Sequence, residues 1–285
     1  MLTADTDSVV FGRTINAYRD GFGAGGSSGG EGVAVAMGAS PLGIGNDGAG
    51  SVRMPAFANG VLGFRTSGYR WPFDGVHIMG AGVVGTTALG PIPVAGPLCR
   101  SVRDIQLITR VISDAEPWRN DPFLLPSPWA GLSLETGRAI RIGVWQNPDH
   151  VHLLPPVSRA LQLARARLES AAGPTKFAIS EFDGPSIASV WDLHKDWVQI
   201  QDIRSLKGFI STEPMTPIVA ATKILDQCHE GVGKLSLDHL HCMNARIAEL
   251  VQQMAQIKRC ARINISSWNQ FTSGYNCHRG TVIMI

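Results

Sequence analysis

The chain has 285 residues, of which 44% are hydrophobic and 17% charged, with a formal charge of +2. That is long enough to bury one large or two modest cores without disulfide or metal staples, and the charge balance gives no bias toward nucleic acid or an anionic membrane surface. Five cysteines (Cys99, Cys228, Cys242, Cys260 and Cys277) are odd in number, scattered and without a CxxC pair, which argues for reduced thiols rather than a disulfide framework. No stretch approaches the ~20 apolar residues of a membrane span, and Met1 is followed by Thr3, Asp5 and Asp7 rather than a basic and apolar leader. A cytoplasmic protein is the expectation.

Along the chain, the first strongly biased stretch is Gly21 to Gly50, dense in Gly, Ser and Ala and nearly free of charge. Such a run serves close backbone approach or positive φ, with a flexible linker as the competing reading. Val33, Ala34, Val35, Ala36 and Met37 interrupt the glycines with packable side chains, which predicts a short buried helix over 31–38 and sets the linker aside. Arg141 to Trp145 reads as a short strand, followed by Pro155-Pro156 and an amphipathic helix from about Val157 to Ala172. Its apolar positions Val157, Ala160, Leu161, Ala164, Leu168 and Ala171 recur at three- and four-residue intervals, and Gly173-Pro174 stops it. Phe177 to Phe182 reads as a second strand, so this region is an α/β unit rather than a bundle. A further helix is predicted from Ser236, as N-cap, to Lys258, with Leu237, Leu240, Ile247, Leu250, Val251, Met254 and Ile257 on one face.

Three motifs overlap in the glycine stretch. Gly21-Phe-Gly23-Ala-Gly25-Gly26 satisfies GxGxxG, but the residues before it form no buried strand and no helical face opens at Gly26, as a dinucleotide site requires. Gly25 to Gly30 satisfies GxSxG twice, but a nucleophile elbow needs a hydrophobic strand directly before the serine. The third pattern is longer. Gly25 to Trp71 reads GGSSGGEGVAVAMGASPLGIGNDGAGSVRMPAFANGVLGFRTSGYRW and closely resembles the amidase signature family, with its GGSSGGEGA, its SPLGIGTDxGGSIRxPA and its GxxGxKPT-like turn. Upstream, Asp5-Thr6 and Gly12 to Asn16 resemble the family's TDxxxxGRTxNP. Downstream, Gly90 to Asp104 (GPIPVAGPLCRSVRD) resembles its GPMARSVRD block, and Asp114 to Trp118 with Asp121-Pro122 its fungal acetamidase-like branch. The resemblance runs from about residue 5 to about residue 265.

What the resemblance implies is an α/β fold, an α/β/α sandwich around a mixed sheet, here incomplete. It implies a single partial domain over 1–285, with a signature core at about 21–72, a helical and α/β substrate-side region at about 140–260, and an unmatched tail at about 266–285. Residue by residue, it places the nucleophile on Ser51 and the bridging serine, held after a cis peptide, on Ser27, 24 residues earlier. Gly48, Ala49 and Gly50 would form the oxyanion hole, with Ser28, Asp47 and Arg53 in support. Asp47 and Arg53 would brace the loop by charge-assisted hydrogen bonds, against the alternative of an ordinary surface ion pair. Where the family has Thr-Asp-x-Gly-Gly-Ser, this chain has Asn46-Asp47-Gly48-Ala49-Gly50-Ser51. The methyl of Ala49 would crowd the hole if that position needed positive φ.

The chemistry implied is hydrolysis of a linear carboxamide. A serine hydroxyl attacks an amide only if its proton has somewhere to go, and in this family the route is a second serine and then a neutral lysine. Only 26 residues precede Ser27 and none is lysine; Lys176, Lys195, Lys207, Lys223, Lys234 and Lys258 all come later. No catalytic lysine is therefore assigned, and both ends are expected to be cut relative to the family. The alternative is an inactive amidase-like binding protein or a non-functional fragment. The partner expected is a small-molecule amide, with no nucleic acid, no cofactor and no metal; a homodimer is left open. His150-x-His152 and His239-x-His241-Cys242 with Cys228-His229 match no zinc spacing.

Overall fold

The computed structural model describes residues 4–73, 93–130, 140–146, 153–171 and 177–183, with single positions at 186, 188–190, 192, 245–246, 248–249 and 252. The chain packs as two compact units, one of Met1–Ala130 with Asp202–Gly233, the other of Gly131–Gln201 with Lys234–Ile285. The described part of the signature core lies in the first.

The first unit opens with a small antiparallel hairpin, β1 (Asp7–Ser8) and β2 (Gly12–Arg13). Helix α1 (Gly29–Ala36) follows the serine turn, then strand β3 (Leu42–Asp47), helix α2 (Arg53–Ala58), β4 (Leu62–Gly63), β5 (Val94–Cys99) and helix α3 (Val102–Asp114). Strand β5 is central, antiparallel to β3 from Leu42↔Cys99 to Asp47↔Val94 and to β4 at Leu62↔Cys99. Val35 of α1, Val52, Ala56 of α2 and Leu98 of β5 form the buried apolar cluster, with Val61 packed against it. The helices thus close over the sheet through small side chains. Along β3 the glycine at 43 is buried and Ile44 is exposed; a methyl on Gly43 would run into Glu31 of α1, and one on Gly45 into Ser28 Oγ of the turn that leads into α1.

The helix predicted over 31–38 begins two residues earlier and ends at Ala36. Ser28 is its N-cap, so the glycines at 29 and 30 are helical rather than loop. Helix α3 is capped by Ser101, whose Oγ accepts from Asp104 N–H at 3.2 Å and donates to Asp104 Oδ2 at 2.8 Å, so one first-turn N–H is satisfied by the N-cap side chain.

In the second unit, β6 (Ile140–Gln146) pairs in parallel with β7 (Phe177–Asp183), register Ile140↔Phe177 to Gln146↔Asp183, with helix α4 (Pro155–Glu169) between them in sequence. This is the α/β unit expected from the two apolar runs. Pro155 and Pro156 lie inside the first turn of α4 rather than before it, since a proline there costs no helical hydrogen bond and its fixed φ suits the helix. Val157, Leu161, Ala164 and Leu168 are half-buried, whereas Ala160 is exposed. The helix ends at Glu169, ahead of Ala172, and Ala171 lies beyond it. Arg165 ties the helix to β7 by reaching Glu181 at 2.7 Å as well as Glu169 at 2.9 Å. Of the helix expected from Ser236 to Lys258, positions 245, 246, 248, 249 and 252 are described and helical; the rest lies outside the described residues, as do the six lysines and the histidine clusters.

Asn59, just past α2, joins three segments of the first unit. Its Nδ2 donates to Ala24 O (2.8 Å) and Pro55 O (2.9 Å), and its Oδ1 accepts from Ala17 N–H (3.0 Å). The side chain is fully buried, so truncation would strand both a donor and an acceptor. Asn59→Ala is expected to lower the free energy of unfolding by about 2–3 kcal/mol, read as a reduced urea midpoint at unchanged slope.

Candidate active site

The site is built where β3 ends and α2 begins. Asp47 is the last residue of β3 and Arg53 the first of α2; between them Gly48–Val52 makes a tight turn that carries Ser51. The Asp47 carboxylate is completely buried and collects donors from the turn that follows it. Its Oδ1 accepts from Gly50 N–H (2.7 Å) and from an Arg53 terminal nitrogen (2.9 Å). Oδ2 accepts from Val52 N–H (3.2 Å), Arg53 N–H (3.3 Å) and Arg53 Nε (2.9 Å). Arg65 Nε lies 3.6 Å from Oδ1. The brace expected between Asp47 and Arg53 is therefore a forked contact, buried on the carboxylate side and half-exposed on the guanidinium side, that also orders the backbone on both sides of Ser51.

Burial pushes the Asp47 carboxyl up, but the Arg53 hydrogen bonds and charge, with the N–H groups of Gly50 and Val52, outweigh it and hold the group below the ordinary carboxylate value. The partners respond in opposite directions. Hydrogen bonding to Asp47 raises Arg53, while burial pulls Arg65 down despite the nearby carboxylate.

Within the turn, Gly50 has φ 120° and Ala49 does not have positive φ. The position that demands glycine is 50, where glycine is kept, so the alanine at 49 does not meet the conflict that the sequence raised. Because the Gly50 N–H is committed to Asp47, it is not free to face an oxyanion. Among the described residues, no acceptor lies on the N–H groups of Gly48, Ala49 and Ser51.

The second serine turn sits against the first. Ser28 N–H donates to Ser51 O at 3.1 Å, and the Gly26–Ser27 peptide bond is cis. Ser27, Ser28 and Ser51 are all half-buried, neither sealed in the core nor fully solvated. Two residues that sequence reasoning did not single out take part: Thr6, whose hydroxyl contacts the backbone of the Ser27 turn, and Arg65. Thr6 lay within a quoted motif, yet nothing local reveals that it reaches across to residues 25–29. Among the described residues there is no group of three or more His, Cys, Asp and Glu that could hold a metal ion, and no helix is long and apolar enough to cross a membrane.

The amidase family model matches residues 1–272. The chain belongs to the amidase family. The match extends a few residues past both limits of the resemblance read from the motifs. Among curated relatives, an amidase of Gibberella moniliformis is 33% identical over 218 residues, covering 76% of this chain and 39% of the relative. An acetamidase of Aspergillus oryzae is 31% identical over 175 residues, covering 59% of this chain and 31% of the relative. The solved structure of a fatty acid amide hydrolase superposes with a TM-score of 0.75 at 26% identity, covering 92% of this chain and 44% of that one. The fold is that of the amidase signature enzymes, an α/β fold, and the chain spans less than half the length of these relatives.

A carboxylate whose folded pKa is depressed stabilises the protein fully above the ordinary carboxylate value, and that contribution is lost as pH falls through the lowered value. Replacing Asp47 by Asn is expected to cost about 2 kcal/mol near pH 7, in the range for hydrogen bonds to a buried charge and below that of a fully buried pair, because the half-exposed Arg53 is screened by solvent. The Asp47→Asn variant should also lose part of the decline in stability between about pH 5 and pH 2. Urea unfolding of both proteins across that range checks both effects.

Proposed function

We propose that this chain carries the serine machinery of an amide hydrolase acting on linear carboxamides. In this reading Ser51 Oγ attacks the amide carbonyl and its proton passes to Ser27, which delivers it to the leaving nitrogen. The C–N bond breaks and leaves an acyl ester on Ser51. Water then cleaves the ester, releasing a carboxylic acid and restoring both hydroxyls. The N–H groups of Gly48, Ala49 and Ser51 stabilise the oxyanion, and Gly50 contributes its backbone conformation instead of its N–H. No step calls for a cofactor.

The observation that carries the proposal is the Ser28 N–H to Ser51 O hydrogen bond, which sets the two serine turns side by side while Asp47 orders the turn around Ser51. Relatives named amidase and acetamidase support the reaction class. The resemblance assigns the relay's lysine to none of the 285 residues. A second reading is a protein that binds amides without turning them over. In the first reading the 285 residues assayed alone turn amides over slowly, because losing one member of a catalytic unit removes on the order of 10³-fold or more in rate.

The discriminating experiment measures ammonia release from small carboxamides by the 285-residue chain and by a longer polypeptide that supplies a lysine strand ahead of Met1. The expected outcome is slow turnover by the former, faster turnover by the latter, and none from either carrying Ser51→Ala. Retained amide binding without hydrolysis by either polypeptide would sink the hydrolase reading in favour of the binding one.

A further inference from the structure

The segment that precedes the hairpin lies over the Ser27 turn, and its contacts converge on one hydroxyl. Thr6 Oγ1 accepts from Gly29 N–H at 3.0 Å and lies 2.9 Å from Gly25 O and 3.1 Å from Ser27 O, its two candidate acceptors. Gly29 is buried, so its N–H needs an acceptor inside the protein. The approach leaves no slack. A side chain on Gly29 would run into the Thr6 hydroxyl, and one on Gly26 would run into the Asp5 backbone. Thr6 is itself tied down: Thr14 N–H donates to Thr6 O at 2.9 Å, and Thr6 N–H donates to Asp5 Oδ1 at 3.0 Å, while Arg13 Nε holds Asp5 Oδ2 at 2.7 Å.

Ser27 therefore sits between two clamps. On one side Ser28 N–H is bound to Ser51 O; on the other the Thr6 hydroxyl spans the carbonyls of Gly25 and Ser27 and the N–H of Gly29. We propose that Thr6 is a positioning residue for Ser27, holding the turn so that the Ser27 hydroxyl stays aligned with Ser51; the inference rests on the serine relay proposed above. The group needed must donate and accept at once, and β-branching restricts the χ1 rotamers open to it. Valine has the shape without the hydroxyl, and serine has the hydroxyl without the methyl.

The test uses the 285-residue chain and the rate at which a fluorophosphonate probe labels it, in the parent, Thr6→Val and Thr6→Ser, each also combined with Ser27→Ala. Amide hydrogen exchange at Gly29 is followed in parallel. Thr6→Val is expected to label on the order of 10²-fold more slowly, the effect of a small misplacement of a reacting group, and Thr6→Ser to label close to the parent rate. In the Ser27→Ala background Thr6→Val should cost nothing further, because residues acting through one unit are not additive. Parent-rate labelling of Thr6→Val, equal slowing of Thr6→Ser, or an undiminished loss in the Ser27→Ala background each overturns the proposal. If the 285-residue parent is not labelled, the same variants are labelled in the longer polypeptide that supplies a lysine strand; no labelling there ends the relay reading, and Gly29 exchange then decides the role of Thr6. Faster exchange in Thr6→Val but not in Thr6→Ser supports the clamp, and unchanged exchange overturns it.

Discussion

A carboxylate cannot be removed from water without compensation worth several kcal/mol, and Asp47 is removed from water completely. Everything around Ser51 follows from how that charge is satisfied. Three backbone N–H groups, of Gly50, Val52 and Arg53, point at it, and the Arg53 guanidinium closes the fork. The donors come from both sides of Ser51, so the serine is held within a turn whose amides are directed by a charge rather than by helix or sheet pairing. The glycine at 50 follows from the same constraint, since its N–H must turn toward Asp47 with φ 120°. Position 49 is under no such demand, and alanine stands there.

The second serine turn is positioned by a different logic. It is covered by residues near the start of the chain and fastened to the first turn by the hydrogen bond from Ser28 N–H to Ser51 O. Asn59 and Thr6 satisfy buried backbone groups that neither helix nor sheet can reach, so the glycine-rich loop is ordered by side chains distant in sequence. A loop so fastened can present hydroxyl groups at fixed places, which separates a catalytic loop from a linker of similar composition. It also explains the glycines at 26 and 29, where backbone and hydroxyl of the covering segment leave no room for a Cβ.

Much of this was legible in the sequence, for identifiable reasons. The long match from Gly25 to Trp71 pointed to the family because backbone geometry at a site restricts residue types position by position. The Asp47–Arg53 brace was implied by the family resemblance, because both partners lie within the matched stretch. Helix α4 and strands β6 and β7 were legible through plain periodicity, although Pro155 and Pro156 began the helix instead of preceding it. Strand β3 was hidden, because glycine at 43 and 45 supplies the inward face and Ile44 points out, the reverse of ordinary strand patterning. Helix α3 carries a readable N-cap in Ser101, three residues ahead of Asp104. Thr6 and Asn59 could not be found from local pattern, since their partners lie about 20 to 40 residues away.

The account turns on Asp47 aligning Ser51 for attack, and peptide mapping of the fluorophosphonate adduct tests that most directly. The 285-residue chain and its Asp47→Asn variant would be labelled at a pH where both are folded, digested, and the modified serine located by mass spectrometry. The account predicts an adduct on the peptide carrying Ser51 in the parent, formed much more slowly in Asp47→Asn. An adduct on Ser27, Ser28 or a serine elsewhere, or labelling of Ser51 at the same rate without the carboxylate, would contradict it.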